Sequence, residues 1–348
     1  MKFTSRFFKN AYTLIEMEFK DFTAGKDDSD RRLDRVLRIF LSNKGLPEIY
    51  KLLRKGLIKL NHKKAKPETH VVEGDIISIA AFLFDDDKAD EQDNSNVEKS
   101  NHSPSNQLKI VFENEHLLII DKPYDRTVHG KTDGLYKDVI DYLTSKSDSN
   151  KNTSLSFKPG PLHRLDRRTT GLLVFSKSLE GARWFTQGIK NHTIHKKYYG
   201  LIQGKLSQKE EWKDFITDNG ETEDGFYTVE AKTTSESNES TVMCETHATP
   251  IGWGTNHGKD YTLLEYDIKT GRKHQIRSQS ALHKHPLAGD TAYGASRLVG
   301  NSKREFYLQA YCLSFPENPL GLPPQIKISL SPDFIEQLQC CGIKKTGL

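Results

Sequence analysis

The chain has 348 residues, of which 35% are hydrophobic and 28% charged, and its formal net charge is only +4. This length suits one large domain with a smaller companion, and the composition excludes a wholly disordered chain. No apolar run approaches the roughly 18 residues of a membrane-spanning helix, and residues 1–20 lack the apolar block of a secretory signal, so we expect a cytoplasmic protein without membrane contact.

A basic module is the first element in chain order, at residues 28–82 behind an N-terminal extension of residues 1–27. Residues 31–70 hold 12 Lys and Arg but only 3 Asp and Glu. An apolar stripe at Leu33, Val36, Leu37 and Phe40 has helical spacing and predicts an amphipathic helix, with Asp28, Ser29 or Asp30 as its N-cap.

A second helix is predicted from the stripe Ile49, Leu52 and Leu53, which follows Pro47 and stops at Gly56. The runs LIKLN and IISIA then predict two short strands. The phrase IYKLLRKGLIKLNHKKAKPETHVVEGDIISI resembles the S4 domain, a small RNA-binding module of ribosomal and RNA-modifying proteins. The resemblance implies that cations along the two helices contact RNA phosphates, whereas the charge run alone is also compatible with a solvated surface. The candidate cations are Arg31, Arg32, Arg35, Arg38, Lys51, Arg54 and Lys55.

The stretch at residues 83–107 is acidic and poor in large apolar residues, so it predicts a flexible linker. Beyond it, LKIVF and HLLIID flank Asn114 and Glu115, a pattern that predicts paired strands at the start of a second domain, residues 108–348. Residues 207–260 alternate polar turns with short β-like runs and carry no recognisable catalytic motif. The expected fold class is therefore α+β.

The most informative segment is HRLDRRTTGLLVFSK, residues 163–177. A charged loop gives way abruptly to the apolar run from Leu172 to Phe175, which predicts a loop that feeds a buried strand and holds Asp166 at a cleft. Taken locally, an Asp between Arg164 and Arg167 is more often a salt-bridged structural residue than a catalytic one.

Five blocks in the expected order resemble the RluA family of pseudouridine synthases. They are IVFENEHLLIIDKP, HRLDRRTTGLLVFSK, HKKYYGLIQG, TGRKHQIR with HPLAGDTAYG, and FYLQAYCLSF. Together with the S4-like module, the arrangement is similar to the RluC-type enzymes that act on large-subunit ribosomal RNA. The resemblance implies a catalytic domain built on a mixed, largely antiparallel sheet, ribosomal RNA as substrate, and no cofactor, because the reaction only rearranges the uridine. We expect a monomer.

The resemblance also implies the catalytic residues, namely Asp166, Tyr198 of the K-x-Y block and Arg277 of the HQIR block. Asp166 is suited to act on the ribose as a nucleophile, as a base, or as a carboxylate that stabilises positive charge at C1′. We expect Arg277 to pair with it. Tyr198 is suited to stack on the uracil, and its hydroxyl to take the C5 proton.

The reacting bond is inaccessible in a stacked helix, so we expect the target nucleotide to be extruded. Arg164 is the candidate to fill the gap, because a planar guanidinium can both stack on bases and bind phosphates. His163 and His274 are expected to order loops or to contact substrate phosphate.

Two rival functions remain open at this stage. One is a protein with the same fold that binds RNA but does not modify it. If the protein is a pseudouridine synthase, transfer RNA is an alternative substrate. The other is a metal-dependent nuclease that uses His163, Asp166 and His274, although HExxH, CxxC and phosphate-binding glycine motifs are lacking. The spacing of His283 and His285 does not by itself form a metal site, and we expect no metal.

The chain departs from the family pattern at two places. After Lys122 and Pro123 the family usually has a small residue and Gly, whereas this chain has Tyr124 and Asp125. The HQIR block is followed by SQSALHKHPLAGD, so contacts at the substrate rim are expected to differ.

Overall fold

The computed structural model describes residues 17–84, 108–130, 134–146, 154–221, 227–233, 241–298, 302 and 304–343. These residues fall into two compact units. The first unit comprises residues 17–84 together with 154–158, and the second comprises the remaining described residues. Most of the expected acidic linker, residues 85–107, lies outside the described part of the chain.

The first unit contains two helices and five short strands. Its helices are α1 (Leu33–Phe40) and α2 (Leu46–Lys55). Its strands are β1 (Phe19–Thr23), β2 (Arg31–Arg32), β3 (Ile58–Leu60), β4 (His70–Val71) and β5 (Ile76–Ala80). Antiparallel pairing gives one sheet in the order β1-β5-β3 and a second of β2 with β4.

The two predicted helices and the two predicted strands of the basic module are present, and their apolar stripes form its core. Leu33, Val36 and Leu37 of α1 pack with Ile49 and Leu53 of α2 in one buried cluster. α2 ends at Gly56, whose φ of 74° is left-handed, as expected for a helix C-terminus. The unit extends beyond the predicted boundary at residue 28, because β1 pairs with β5.

The predicted N-cap of α1 is wrong at Asp28. The helix follows Arg32, which makes no side-chain capping bond. Asp28 is instead fully buried and accepts hydrogen bonds from the backbone N–H groups of Gly25 (2.9 Å), Leu155 (2.8 Å) and Ser156 (2.7 Å). Asp28 therefore ties residues 154–156 to the first unit.

The second unit is built on one large sheet. Its strands are β6 (Ile110–Glu113), β7 (Leu117–Lys122), β8 (Gly160–Pro161), β9 (Thr170–Ser176), β10 (His195–Gln203), β11 (Glu210–Glu221), β12 (Tyr227–Lys232), β13 (Thr241–Asn256), β14 (Lys259–Ile268), β15 (Leu308–Ser314) and β16 (Gln325–Lys327). Its helices are α3 (Leu135–Lys146), α4 (Leu179–Lys190), α5 (Gln275–Leu282) and α6 (Pro332–Cys340). The strand order is β12-β11-β13-β14-β10-β15-β9-β7-β6, with β16 beside β15 and β8 beside β9.

The pairing of β15 with β9 is parallel, and the other pairings described in this sheet are antiparallel. The predicted α+β class with a mixed, largely antiparallel sheet is thereby confirmed. At the parallel junction Gly171 has a φ of 110°, and a Cβ there would lie 2.1 Å from the carbonyl oxygen of Ala310. This close approach requires glycine.

The central strands are buried on both faces. Leu118 and Ile120 of β7 join Leu173 and Phe175 of β9 in one core, whereas Leu117, Ile119, Leu172 and Val174 join Phe185 of α4 in another. The predicted strand pair around Asn114 is also present, and the Asn114 side chain accepts hydrogen bonds from the N–H groups of His116 and Leu117. The HRLD loop thus enters a strand whose every residue is buried, as predicted.

Two of the strands described between residues 207 and 260 are long and not short as expected, since β11 has 12 residues and β13 has 16. In the described part of the chain, no helix is both long enough and apolar enough to cross a membrane.

Candidate active site

A cleft of about 540 Å³ opens on the second unit between the HRLD loop, β10 and the turn that leads into α5. Its lining includes Asp166, Tyr198 and Arg277, the three predicted catalytic residues, together with Arg164. The structure therefore brings Arg164 and Arg277, which are 113 positions apart in the sequence, into the same cleft. Their individual roles remain predictions.

Hydrogen bonds from Thr169 and Lys122 hold the loop that carries Asp166. The Asp166 carbonyl accepts a hydrogen bond from the N–H of Thr169 at 3.0 Å. Lys122, at the end of β7 and completely buried, donates to the carbonyl of Arg167 at 2.8 Å and to that of Pro123 at 3.0 Å. Burial lowers the pKa of Lys122 to about 7, while the charge of Asp166 acts in the opposite direction.

The arginines that follow Asp166 pair elsewhere. Arg167 binds Asp125 at 2.9 Å, and Arg168 binds Glu305. The side chain of Asp166 is 18% exposed and lines the cleft. It therefore forms no ion pair with Arg167 or Arg168. The local sequence pattern favoured a structural Asp166 in a salt bridge, but Arg167 and Arg168 do not provide that salt bridge.

Tyr124 and Asp125, which depart from the family pattern, lie in a turn. Asp125 adopts a φ of 59°, the left-handed conformation that a Gly would take readily, and its carboxylate holds Arg167. The Tyr124 hydroxyl accepts from the N–H of Glu305 at 3.0 Å. Both substituted residues thus brace the loop that carries Asp166.

His274 lies between Asp166 and a half-buried tyrosine, Tyr293. Its Nε2 lies 3.7 Å from Asp166 Oδ2, and its Nδ1 lies 2.9 Å from the hydroxyl of Tyr293. That hydroxyl already accepts from the backbone N–H of Val229 on β12, at 3.1 Å. Arg277 Nη1 also approaches the imidazole, 3.4 Å from Nδ1 and 3.3 Å from Nε2, so the donor and acceptor roles at His274 depend on its tautomer.

Burial lowers the pKa of His274, and the nearby charge of Arg277 lowers it further, although Asp166 acts in the opposite direction. The imidazole is consequently neutral at neutral pH. His274 itself has a φ of 51°, so the backbone places it in a conformation that most residues avoid.

Arg277 does not form the predicted ion pair with Asp166. Its guanidinium makes two hydrogen bonds to Asp290, Nε to Oδ2 at 2.7 Å and Nη2 to Oδ1 at 2.8 Å. It also lies over the rings of Tyr293 and Phe306, 4.8 and 4.7 Å from their centroids. The physical reason is that two parallel hydrogen bonds to the buried Asp290 carboxylate stabilise the guanidinium more than the more distant charge of Asp166 does.

Tyr198 projects from β10 into the cleft and is 6% exposed. Burial raises its pKa above the ordinary value, and the negative charge of Asp166 adds to the shift. The hydroxyl therefore stays protonated at neutral pH. A stacking role on the uracil is compatible with this state, whereas removal of the C5 proton would require another group to take the hydroxyl proton first.

The predicted RNA contacts divide into two groups. Arg164 is exposed on the cleft, so its role as a gap-filling residue stays a prediction. His163 is turned into the fold, since its Nε2 accepts from the N–H of Val174 and its Nδ1 is buried, and burial lowers its pKa to about 3. His163 also lines the cleft, so its contact with RNA stays a prediction.

In the first unit, Arg31 donates to the carbonyl and hydroxyl of Ser156, and Arg32 pairs with Asp34 at 2.7 Å. Both side chains thus have partners within the protein, and their contacts with RNA stay predictions. The remaining cations are exposed, namely Arg35, Arg38, Lys51, Arg54 and Lys55.

Among the residues that the structure describes, no three His, Cys, Asp or Glu side chains cluster in a way that would hold a metal ion. His283 of the predicted H-x-H pair bonds Asp214 at 3.0 Å and stacks on Trp212. It serves the packing of α5 against β11.

Sequence reasoning missed four residues of this site, namely Lys122, Asp290, Tyr293 and Lys196. Asp290 and Tyr293 lie in the segment HPLAGDTAYG, which resembles the family, but the resemblance implied no role for either residue. Lys122 belongs to the quoted Lys-Pro turn, and Lys196 to the K-x-Y block. The signal that marks such residues is the burial of an ionisable side chain, and burial cannot be read from a sequence.

Comparisons with known proteins agree with this geometry. Residues 116–282 match the family model described as RNA pseudouridylate synthase. The chain is 27% identical to the ribosomal large subunit pseudouridine synthase C of Pasteurella multocida, over 92% of this chain and 93% of the relative. It is 25% identical to an RNA pseudouridine synthase of Mycoplasma capricolum, over 91% of this chain and 99% of the relative.

Among solved structures, the human RNA pseudouridylate synthase domain containing 4 superposes with a TM-score of 0.53 at 19% identity, covering 68% of this chain and 94% of that one. This likeness concerns the fold.

Proposed function

We propose that this chain, which carries a pseudouridine synthase domain of the RluA type, isomerises uridines to pseudouridines in large-subunit ribosomal RNA. The observation that carries the proposal is the cleft in which Asp166 faces Tyr198, inside the region that matches the family model. We further propose that the enzyme is a cytoplasmic monomer that needs no cofactor.

The reaction breaks the bond between ribose C1′ and uracil N1 and forms a bond between C1′ and C5. The hydrogen on C5 is lost and N1 gains one, so atoms and electrons balance without a redox partner. The site supplies a fixed carboxylate, Asp166, for the ribose, and a buried ring, Tyr198, beside which the detached uracil can turn. Neutral His274, whose Nε2 lies 3.7 Å from Asp166 Oδ2, is suited to support the orientation of this carboxylate.

The nature of the RNA is inferred from the relatives. Several of them are named as ribosomal large subunit pseudouridine synthase C, and the match spans most of both chains. Exposed cations on α1 and α2 of the first unit are suited to phosphate contacts that position RNA without reading its sequence. We propose that the basic module performs this task.

The test is pseudouridine mapping of ribosomal and transfer RNA from cells that lack the gene, complemented with the intact chain, with Asp166→Asn or with Asp121→Asn. Asp121 is the matched control, since it is a carboxylate on β7 that pairs with Lys109 at 2.7 Å outside the cleft. We expect large-subunit sites to vanish with the gene and to return with the intact chain and Asp121→Asn only.

Other outcomes point to other functions. Restoration by Asp166→Asn would mean that the carboxylate is not required and that the protein acts without turnover. Loss of sites in transfer RNA alone would move the substrate to that class. Unchanged maps would contradict the proposal for both RNA classes.

A further inference from the structure

Lys196 lies in the wall of the active-site cleft without a counter-ion. It is on β10, two residues before Tyr198, so the two side chains leave the same face of the strand, and both line the cleft. Lys196 is only 8% exposed. Within the described residues we find neither a hydrogen bond nor an ion pair for its ammonium group.

The other cations near this wall are either exposed or paired. Arg164 and Arg272 line the cleft with exposed side chains. Lys197, the next residue on β10, pairs with Glu265 at 2.8 Å, and the buried Arg277 is held by Asp290. Lys196 is therefore distinguished by being buried in the cleft wall without an acidic partner.

The ammonium group lies against the turn between β14 and α5, which also lines the cleft. A Cβ added to Gly271 in this turn would lie 2.8 Å from Lys196 Nζ. The end of the lysine side chain is therefore placed at the cleft.

Burial of an unpaired ammonium is unfavourable, and it lowers the pKa of Lys196 to about 8. At neutral pH the group still carries its proton for most of the time. An anion that entered the cleft would remove this electrostatic cost, so the site is preorganised for a negatively charged group.

We propose that Lys196 binds a phosphate of the target nucleotide and thereby fixes the ribose over Asp166. The inference rests on the proposed function for the identity of the ligand, since phosphate is the anion that RNA supplies. Lys196 and Tyr198 lie about 7 Å apart along the strand. This spacing matches a nucleotide with its base at Tyr198 and a backbone phosphate at Lys196.

The first experiment uses uridine, uridine 5′-monophosphate and uridine 3′-monophosphate as probes, titrated into the full chain and followed by NMR of the protein. We expect one monophosphate to bind the wild type at least about ten-fold more tightly than uridine, as a charge-assisted hydrogen bond allows. Lys196→Met should abolish this preference. The matched control Lys197→Met, which removes the neighbouring paired lysine on the same strand, should retain it.

The second experiment replaces the 5′ or the 3′ phosphate of the target nucleotide by a neutral methylphosphonate in an RNA fragment, and measures Kd and kcat/KM. One replacement should weaken the wild type about ten-fold and have little further effect on Lys196→Met. This coupling identifies which phosphate is bound. Lys196→Gln serves as a second uncharged variant if Lys196→Met does not fold.

Equal losses in the wild type and in the Lys196 variants, or a wild type that binds uridine as tightly as both monophosphates, would overturn the inference. Failure of the proposed function looks different. A chain that prefers a monophosphate through Lys196 but forms no pseudouridine contradicts the activity and retains the phosphate site. A chain that forms pseudouridine without the coupling retains the activity and loses the site.

Discussion

Asp166, the predicted catalytic residue, keeps its side chain free of ion pairs with the arginines that follow it in the sequence. Each arginine that follows it has an acidic partner of its own, Asp125 for Arg167 and Glu305 for Arg168. The sequence motif located Asp166 correctly at the cleft, but it did not show which cation faces which carboxylate. Those pairings depend on residues far along the chain, so local pattern could not assign Arg277 to Asp290.

Lys122 gives a pH-dependent prediction at the same scale. Its folded pKa of about 7 lies below the value of 10.5 for a free lysine. Between these values the unfolded chain binds a proton that the folded chain does not, so the free energy of unfolding contributed by this residue rises with pH, by at most about 1.4 kcal/mol per unit.

We therefore expect the unfolding free energy of the wild type, minus that of Lys122→Met, to increase between pH 7 and pH 9 in denaturant titrations. Lys109→Met is the control, because Lys109 is 74% exposed. Its difference from the wild type should not follow pH. A Lys122→Met difference that stayed constant over this range would show that the folded lysine keeps its proton throughout.

At the scale of secondary-structure elements, β12 gains a function that its sequence did not reveal. This strand lies at the edge of the large sheet, and its Val229 N–H donates to the hydroxyl of Tyr293. Through Tyr293 and His274 the edge strand is connected to Asp166. Burial raises the pKa of Tyr293 to about 12, so its hydroxyl remains a donor at neutral pH.

Tyr293→Phe should therefore release His274 without disturbing the ring that Arg277 contacts. We expect kcat to fall about ten-fold, as for the loss of one hydrogen bond, with KM little changed. The acidic limb of the pH profile should also shift, because Nδ1 becomes free to bind a proton. Purified enzyme and a single RNA substrate suffice for the measurement.

Tyr142→Phe is the matched control, since it removes a tyrosine hydroxyl that donates to Glu113 at 2.7 Å on α3 and β6, away from the cleft lining. It should leave both the rate and the pH profile unchanged. If Tyr293→Phe behaved in the same way, the connection from β12 to Asp166 would have no catalytic role.

For the whole molecule, the sequence predicted those features that follow from periodicity and from contiguous motifs. The stripes of α1 and α2, the hairpin at Asn114 and the fully buried β9 belong to this group. Features that depend on distant chain segments were missed. Residues 154–156 contribute to the first unit because Asp28 accepts their N–H groups and Leu155 packs on its core, and no local pattern at either place indicates the contact.

This contact also changes how the basic module should be tested. Deletion of residues 1–84 would remove the groups that hold residues 154–156, so a loss of RNA affinity would not report on charge alone. Neutralising the exposed cations leaves the fold in place. The suitable variant is the combination Arg35→Gln, Lys51→Gln, Arg54→Gln and Lys55→Gln, whose side chains are all exposed.

We expect this variant to bind structured RNA more weakly and with a shallower salt dependence, because each lost phosphate contact lowers the slope of log K against log salt by about 0.7 to 0.9. The turnover rate at saturating RNA should stay near that of the wild type, since the cleft is untouched. The control for net charge removes four exposed lysines of the second unit, Lys209→Gln, Lys213→Gln, Lys259→Gln and Lys327→Gln. A salt slope that stayed equal in all three proteins would mean that the basic module presents a solvated surface and that RNA affinity arises in the second unit.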